Sequence, residues 1–124
     1  MTAVRVKAIA PIALPADRLA WRAERYRALG QAAGGLDVSL VNLAGPDAPP
    51  SLDSEDAVQA SDGLVRAEIL RTDPAEFDVV LPDCVLDPGV EAGPLTGTPV
   101  PSTGILKLVG FQLAAAGRRF SAVQ

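Results

Sequence analysis

Apolar and polar residues alternate from Val4 to Ile9, with Val4, Val6 and Ala8 set against Arg5 and Lys7. That period of two predicts a first strand that turns apolar towards its end. Pro11 and Pro15 bracket a loop. From Ala16 to Ala33 the residues are mostly Ala, Leu, Arg and Glu, good helix formers. Leu19, Ala23, Tyr26 and Leu29 fall at helical spacing, Arg18, Arg22 and Arg25 fit a solvated face, and Gly34-Gly35 supplies a stop. Leu36 to Leu43 is β-branched and apolar, a second strand, and 44–50 is a loop rich in proline and glycine. Ser54 caps a second helix whose acidic start, Glu55-Asp56, suits the positive end of its dipole. The pattern Ala57, Leu64, Val65, Glu68, Ile69 carries it to about Thr72, across a weak point at Gly63, and Asp73-Pro74 ends it.

Phe77 to Leu81 is short and almost wholly apolar, as expected of a strand covered on both faces. Thr98 to Pro101 reads as a fourth short strand. Ser102-Thr103 is the expected cap of a helix from Gly104 to Ala116, and Arg119 to Val123 begins what reads as a fifth strand. Strand and helix alternate throughout, so the expected fold is α/β: a parallel sheet of four to five strands with helices on both faces. A length of 124 residues predicts a single domain spanning 1–124.

Composition narrows the chemistry. Apolar residues are 48% and charged residues 21%, with a formal charge of −4, an ordinary globular balance without a basic stripe for nucleic acid. No apolar run approaches the ~20 residues that span a bilayer. The expectation is a cytoplasmic protein bound to neither membrane nor nucleic acid. There is one cysteine and no histidine. An internal disulfide and a cysteine-based zinc cluster are thereby excluded, and metals that favour imidazole lose their commonest ligand.

The one cysteine, Cys84, follows Pro82-Asp83 just past the third strand. In open parallel sheets ligands bind beyond the carboxyl ends of the strands. The loop at Pro11-Ile12, the loop from Asn42 to Gly45, and Ser102-Thr103-Gly104 converge on that edge. Helix-start N–H groups form an anion site, so Ser102, Thr103 and Gly104, with the N–H groups of Val85 and Leu86, are candidate binders of a carboxylate. Asp87, Pro88 and Gly89 shape a turn. A lone cysteine is also commonly a small buried hydrophobe.

The segment DVVLPDCVLDPGV resembles the surroundings of the first catalytic cysteine in the aspartate/glutamate/hydantoin racemase superfamily, most closely the N-terminal half of hydantoin racemases. Ser61 to Ile69 is similar to the family's preceding helix. Gly110 to Val123 resembles its Gly-Arg-Arg-Phe-Ser turn into the next strand. The resemblance covers this whole chain and one lobe of the two-lobe family fold. It implies a cofactor-independent racemase in which Cys84 removes or returns the Cα proton of an amino acid, hydantoin or other small carboxylate. A thiolate is the active form and a free thiol has a pKa of ~8.5, so such a site must favour ionisation. Two departures stand out. The family's first strand ends in Asn-Pro-Asn, where this chain has Ala10-Pro11-Ile12, the positions that the resemblance assigns to substrate. The family's second cysteine lies in its other half, so the resemblance implies a second-lobe partner or a homo-oligomer. The alternative function is a non-catalytic module of the same fold that binds a small acid or a protein; a one-cysteine decarboxylase of the superfamily is a third.

Overall fold

The computed structural model describes residues 3–90, 97–119 and 121. Six elements follow in order: β1 (Val4–Ile9), α1 (Ala16–Ala33), β2 (Leu36–Val41), α2 (Glu55–Leu70), β3 (Val79–Pro82) and α3 (Ile105–Ala115). The sheet is parallel with strand order β2-β1-β3. Its first crossover runs outward to β2 and its second returns past β1 to β3. With the right-handed connection that parallel strands favour, α1 and α2 fall on opposite faces.

Side chains agree with that placement. Register pairs Lys7 with Val80 and Ile9 with Pro82, so these four share one face. Ile9, Leu43, Val65, Ile69, Val80 and Val100 form the buried core there, under α2. Val6 and Ala8 point the other way and are also buried. Burial on both sides is why β3 reads as an apolar run and why β1 turns apolar towards its end.

Each boundary has a local cause. Ser54 Oγ accepts the Ala57 N–H at 3.1 Å and starts α2 as expected. At the far end, Thr72 Oγ1 donates to the Glu68 carbonyl, and the backbone turns through Asp73 to Phe77. Gly34 and Gly35, at φ +68° and +77°, close α1 with a conformation glycine adopts without strain.

Among the described residues the sheet has three strands, fewer than the expected four to five. Thr98 to Pro101 forms no strand; just past it Ser102 makes one isolated parallel bridge with Val80, through Val80 N–H to Pro101 O and Thr103 N–H to Val80 O. Pro99 and Pro101 have no N–H to donate, so the pairing cannot extend into a ladder. Most of the fifth expected strand, 119–123, lies outside the described residues, and Arg119 itself is not in a strand. The cap of α3 is a second correction. Its N-cap is Gly104, which has no side chain to bond with, while Ser102 is engaged in the bridge to Val80.

One core polar pair holds β1 to α2. Lys7 is buried, and its ammonium donates to Glu68 Oε2 at 3.2 Å and to the Glu68 carbonyl at 3.3 Å. Partial burial pushes the Glu68 carboxyl up, but hydrogen bonds from Lys7 and Arg71 outweigh it and hold the group below its ordinary value. A depressed acid stabilises the fold above its unfolded pKa and loses that contribution as pH falls through the folded one. Glu68→Gln is therefore expected to cost about 1–3 kcal/mol at neutral pH, since it leaves a buried ammonium half-paired. The gap between variant and parent urea midpoints should close in acid, below the ordinary glutamate value of 4.5; an equal gap at both pH values would contradict this assignment.

Candidate functional site

β1 and β3 run side by side and deliver two loops to one edge of the sheet. The Asp83 N–H donates to the Ile9 carbonyl at 2.7 Å, which carries the pairing one residue past β3. Pro11 and Cys84 therefore follow the carboxyl ends of neighbouring strands. Ser61 of α2 donates to the Pro11 carbonyl at 2.5 Å, so the buried end of the β1 loop is fixed. Asn42 clamps the same loop twice, accepting the Leu14 N–H and donating to the Leu14 carbonyl, both at 2.9 Å.

Cys84 is half-buried and carries a free thiol. Its carbonyl accepts the Asp87 N–H at 3.2 Å, which closes a tight turn. Asp87 stands at φ +50°, a left-handed conformation that aspartate tolerates better than most residues. Pro88 and Gly89 are buried. The Gly89 N–H donates to Asp62 Oδ1 at 2.6 Å, tying the turn to α2. Val85 and Leu86 lie on its exposed outer side.

The turn then reaches α3. Asp87 Oδ1 accepts the Leu106 N–H at 3.1 Å and Oδ2 accepts the Lys107 N–H at 3.0 Å. A carboxylate at this position satisfies two orphan donors and meets the positive end of the helix dipole. Gly104 is required by the contact, because a Cβ there would fall inside the Asp87 carboxylate. The geometry thus brings the turn that begins at Cys84 to the start of α3 through Asp87 and Gly104, while Ser102 and Thr103 pair with Val80. It also gives Asp87 a task beyond turn shaping: the protein's own carboxylate occupies two of the N–H groups at the start of α3. The Thr103 N–H is likewise engaged, by Val80.

On the opposite side of Cys84 stands Asp83. Its side chain is 15% exposed. Arg22 donates to Oδ2 at 2.8 Å and Tyr26 donates to Oδ1 at 2.5 Å. Arg22 is thus no member of a free solvated face: α1 leans over the sheet and uses it to hold the β3 loop. Burial, and then the bond to Asp83, raise the Tyr26 phenol far above its ordinary value. A raised folded value stabilises the fold below the unfolded pKa and is lost as pH rises past it. The single tyrosine of the chain should stay un-ionised through the range near pH ~10 where free phenols titrate. Normal phenolate absorbance in the folded protein at that pH would contradict the buried pairing. Tyr26, Leu29, Trp21, Arg22, Arg25 and Asp83 line a cleft of ≈ 460 Å³, and Cys84 is not among its lining residues.

Sequence reasoning passed over the Asp83–Arg22–Tyr26 cluster. Its signal was present, since Arg22 and Tyr26 are four apart and share one face of a helix, but their partner lies 57 residues or more away along the chain. Among the described residues, no group of three or more Cys, Asp or Glu is placed to hold a metal ion, and no helix is long and apolar enough to cross a membrane. No family model matches this chain, and neither a curated protein nor a solved structure does so.

Proposed function

We propose that this chain is the first lobe of a cofactor-independent racemase-type enzyme, in which Cys84 exchanges a proton with the Cα of a small carboxylate, amino acid or hydantoin. The observation that carries the reading is the position of Cys84: a half-buried free thiol two residues past β3, at the carboxyl edge of a parallel sheet, on a loop pinned from three sides.

As a thiolate, Cys84 takes the Cα hydrogen as a proton, and the electron pair of the broken C–H bond passes into an enolate. The N–H groups of Val85 and Leu86 and the Thr103 hydroxyl are assigned to the substrate's oxygens, with Pro11 and Ile12 as the opposite wall. Oriented donors of that kind stabilise developing negative charge. The thiol then returns a proton to the same carbon. One thiol serves one face, so inversion calls for a second acid on the other face, supplied by a second lobe or a second copy of the chain. The apolar side chains that α3 leaves exposed, Leu108, Val109 and Phe111, suit such a cover.

The hold of Asp87 on α3 favours a second reading. A site whose helix start is already capped by its own carboxylate is poorer in free donors, as suits a binding module. The discriminating test is hydrogen–deuterium exchange at Cα in deuterated water, over a panel of single enantiomers that includes aspartate, glutamate and a 5-substituted hydantoin. Enzymatic exchange above the spontaneous rate supports the first reading; its absence across the panel supports the module.

A further inference from the structure

The cleft between α1 and the β3 loop is separate from the thiol, and its chemistry is coherent. Trp21 is 61% exposed and Leu29 is 56% exposed, a large apolar area to leave in water on one helix face. The Arg25 guanidinium lies over the Trp21 ring, 4.9 Å from its centroid. That stacking presents a flat cation beside a flat apolar surface. Arg25 has no carboxylate partner among the described residues. The acidic group in the floor of the cleft, Asp83, is bound on both oxygens by Arg22 and Tyr26. An incoming anion therefore meets a neutralised floor and an open guanidinium. Arg18, on the other side of Trp21, lines the neighbouring cleft with Asp17 and Arg22. A volume of ≈ 460 Å³ lies within the range of small-molecule sites.

We propose that this cleft binds an aromatic carboxylate, the ring against Trp21 and Leu29 and the acid group paired with Arg25. A planar guanidinium takes a carboxylate through two parallel N–H bonds, which an ammonium cannot do. The site is independent of Cys84 and of the proton chemistry proposed for it.

Trp21 is the only tryptophan of the chain, so its fluorescence reports the cleft without labelling. Phenylacetate, titrated into the intact protein, is expected to change that emission with a saturating curve, while the neutral phenylacetamide is expected to give none. Arg25→Ala should weaken phenylacetate by roughly fivefold, the upper worth of an exposed ion pair, and Arg25→Lys should recover only part of it. Because Arg25 touches the reporter, saturation-transfer NMR on the phenyl protons provides a second reading of the same series. Arg25 is exposed, so its variants should keep the parent's circular dichroism. Cys84→Ser should bind phenylacetate as the parent does. The proposal is overturned if acid and amide titrate alike, if Arg25→Ala matches the parent, or if Cys84→Ser loses binding and so moves the ligand to the thiol.

Discussion

Gly89→Ala is expected to destabilise the protein by roughly 3 kcal/mol, a large share of the ~5–15 kcal/mol that holds a domain together. Two costs combine. Gly89 stands at φ +72°, where a Cβ costs about 1–2 kcal/mol. A Cβ there would also lie 2.7 Å from the backbone nitrogen of Arg66 and 3.1 Å from its Cα. Those are helix backbone atoms, not the free end of a side chain, so α2 or the turn must move, and overpacking of this kind costs about 1–3 kcal/mol. Movement would also stretch the Gly89 N–H bond to Asp62. Gly63 serves as the control. It lies within α2, is exposed, and has open space where a Cβ would stand. Gly63→Ala is expected to stabilise by up to about 1 kcal/mol through helix propensity. Urea unfolding of the two variants should give shifts of opposite sign; a Gly89→Ala midpoint equal to the parent's would show that the turn is not packed as described.

The same turn carries Cys84, so its rigidity bears on function. A thiol that must reach a carbon-bound hydrogen needs a fixed approach, and misplacement by about 1 Å is enough to lose orders of magnitude in rate. The Asp62 bond, the contact with Arg66 and the two bonds from Asp87 to α3 supply that fixity. In this account Asp87 is a positioning residue: it aligns α3 and the turn with each other.

The residues differ in how openly they announce these roles. The alternation of Val4 to Ile9 and the Ser54 cap are local signals, and both fall where local physics puts them. Strand ends were less legible. The second strand stops at Val41, two residues early, because the Asn42 side chain turns to clamp the loop at Leu14. The third begins at Val79, two residues later than Phe77, since Phe77 still belongs to the turn from Asp73. The expected fourth strand failed through its prolines, a signal that was in plain sight. The cap of α3 was not legible at all. Ser102-Thr103 has the right residue types in the right place, yet the capping carboxylate comes from Asp87, nearly twenty residues upstream. Tertiary bonds of this reach leave no periodic trace in sequence. The same holds for Asp83, whose partners on α1 belong to an earlier element. The place of Cys84 just past β3 was readable, because the apolar run and the Pro82-Asp83 that follows it mark the strand end locally.

The largest functional effect is expected at that residue. A serine hydroxyl keeps the shape of the thiol and loses its acidity, and an alkoxide is not accessible at neutral pH without a separate base. The turn around residue 84 is held by backbone bonds and by Asp62 and Asp87, so the substitution should leave the fold intact.

The central claim is that the Cys84 sulfur, at the mouth of the sheet, moves a proton on and off carbon. Mass spectrometry of deuterium uptake at Cα tests it most directly, with parent and Cys84→Ser compared on each single enantiomer in deuterated water. The account predicts one deuteron gained per substrate molecule with the parent, faster than the configuration inverts, and only the spontaneous rate with Cys84→Ser. Uptake by the variant at the parent's rate would contradict it.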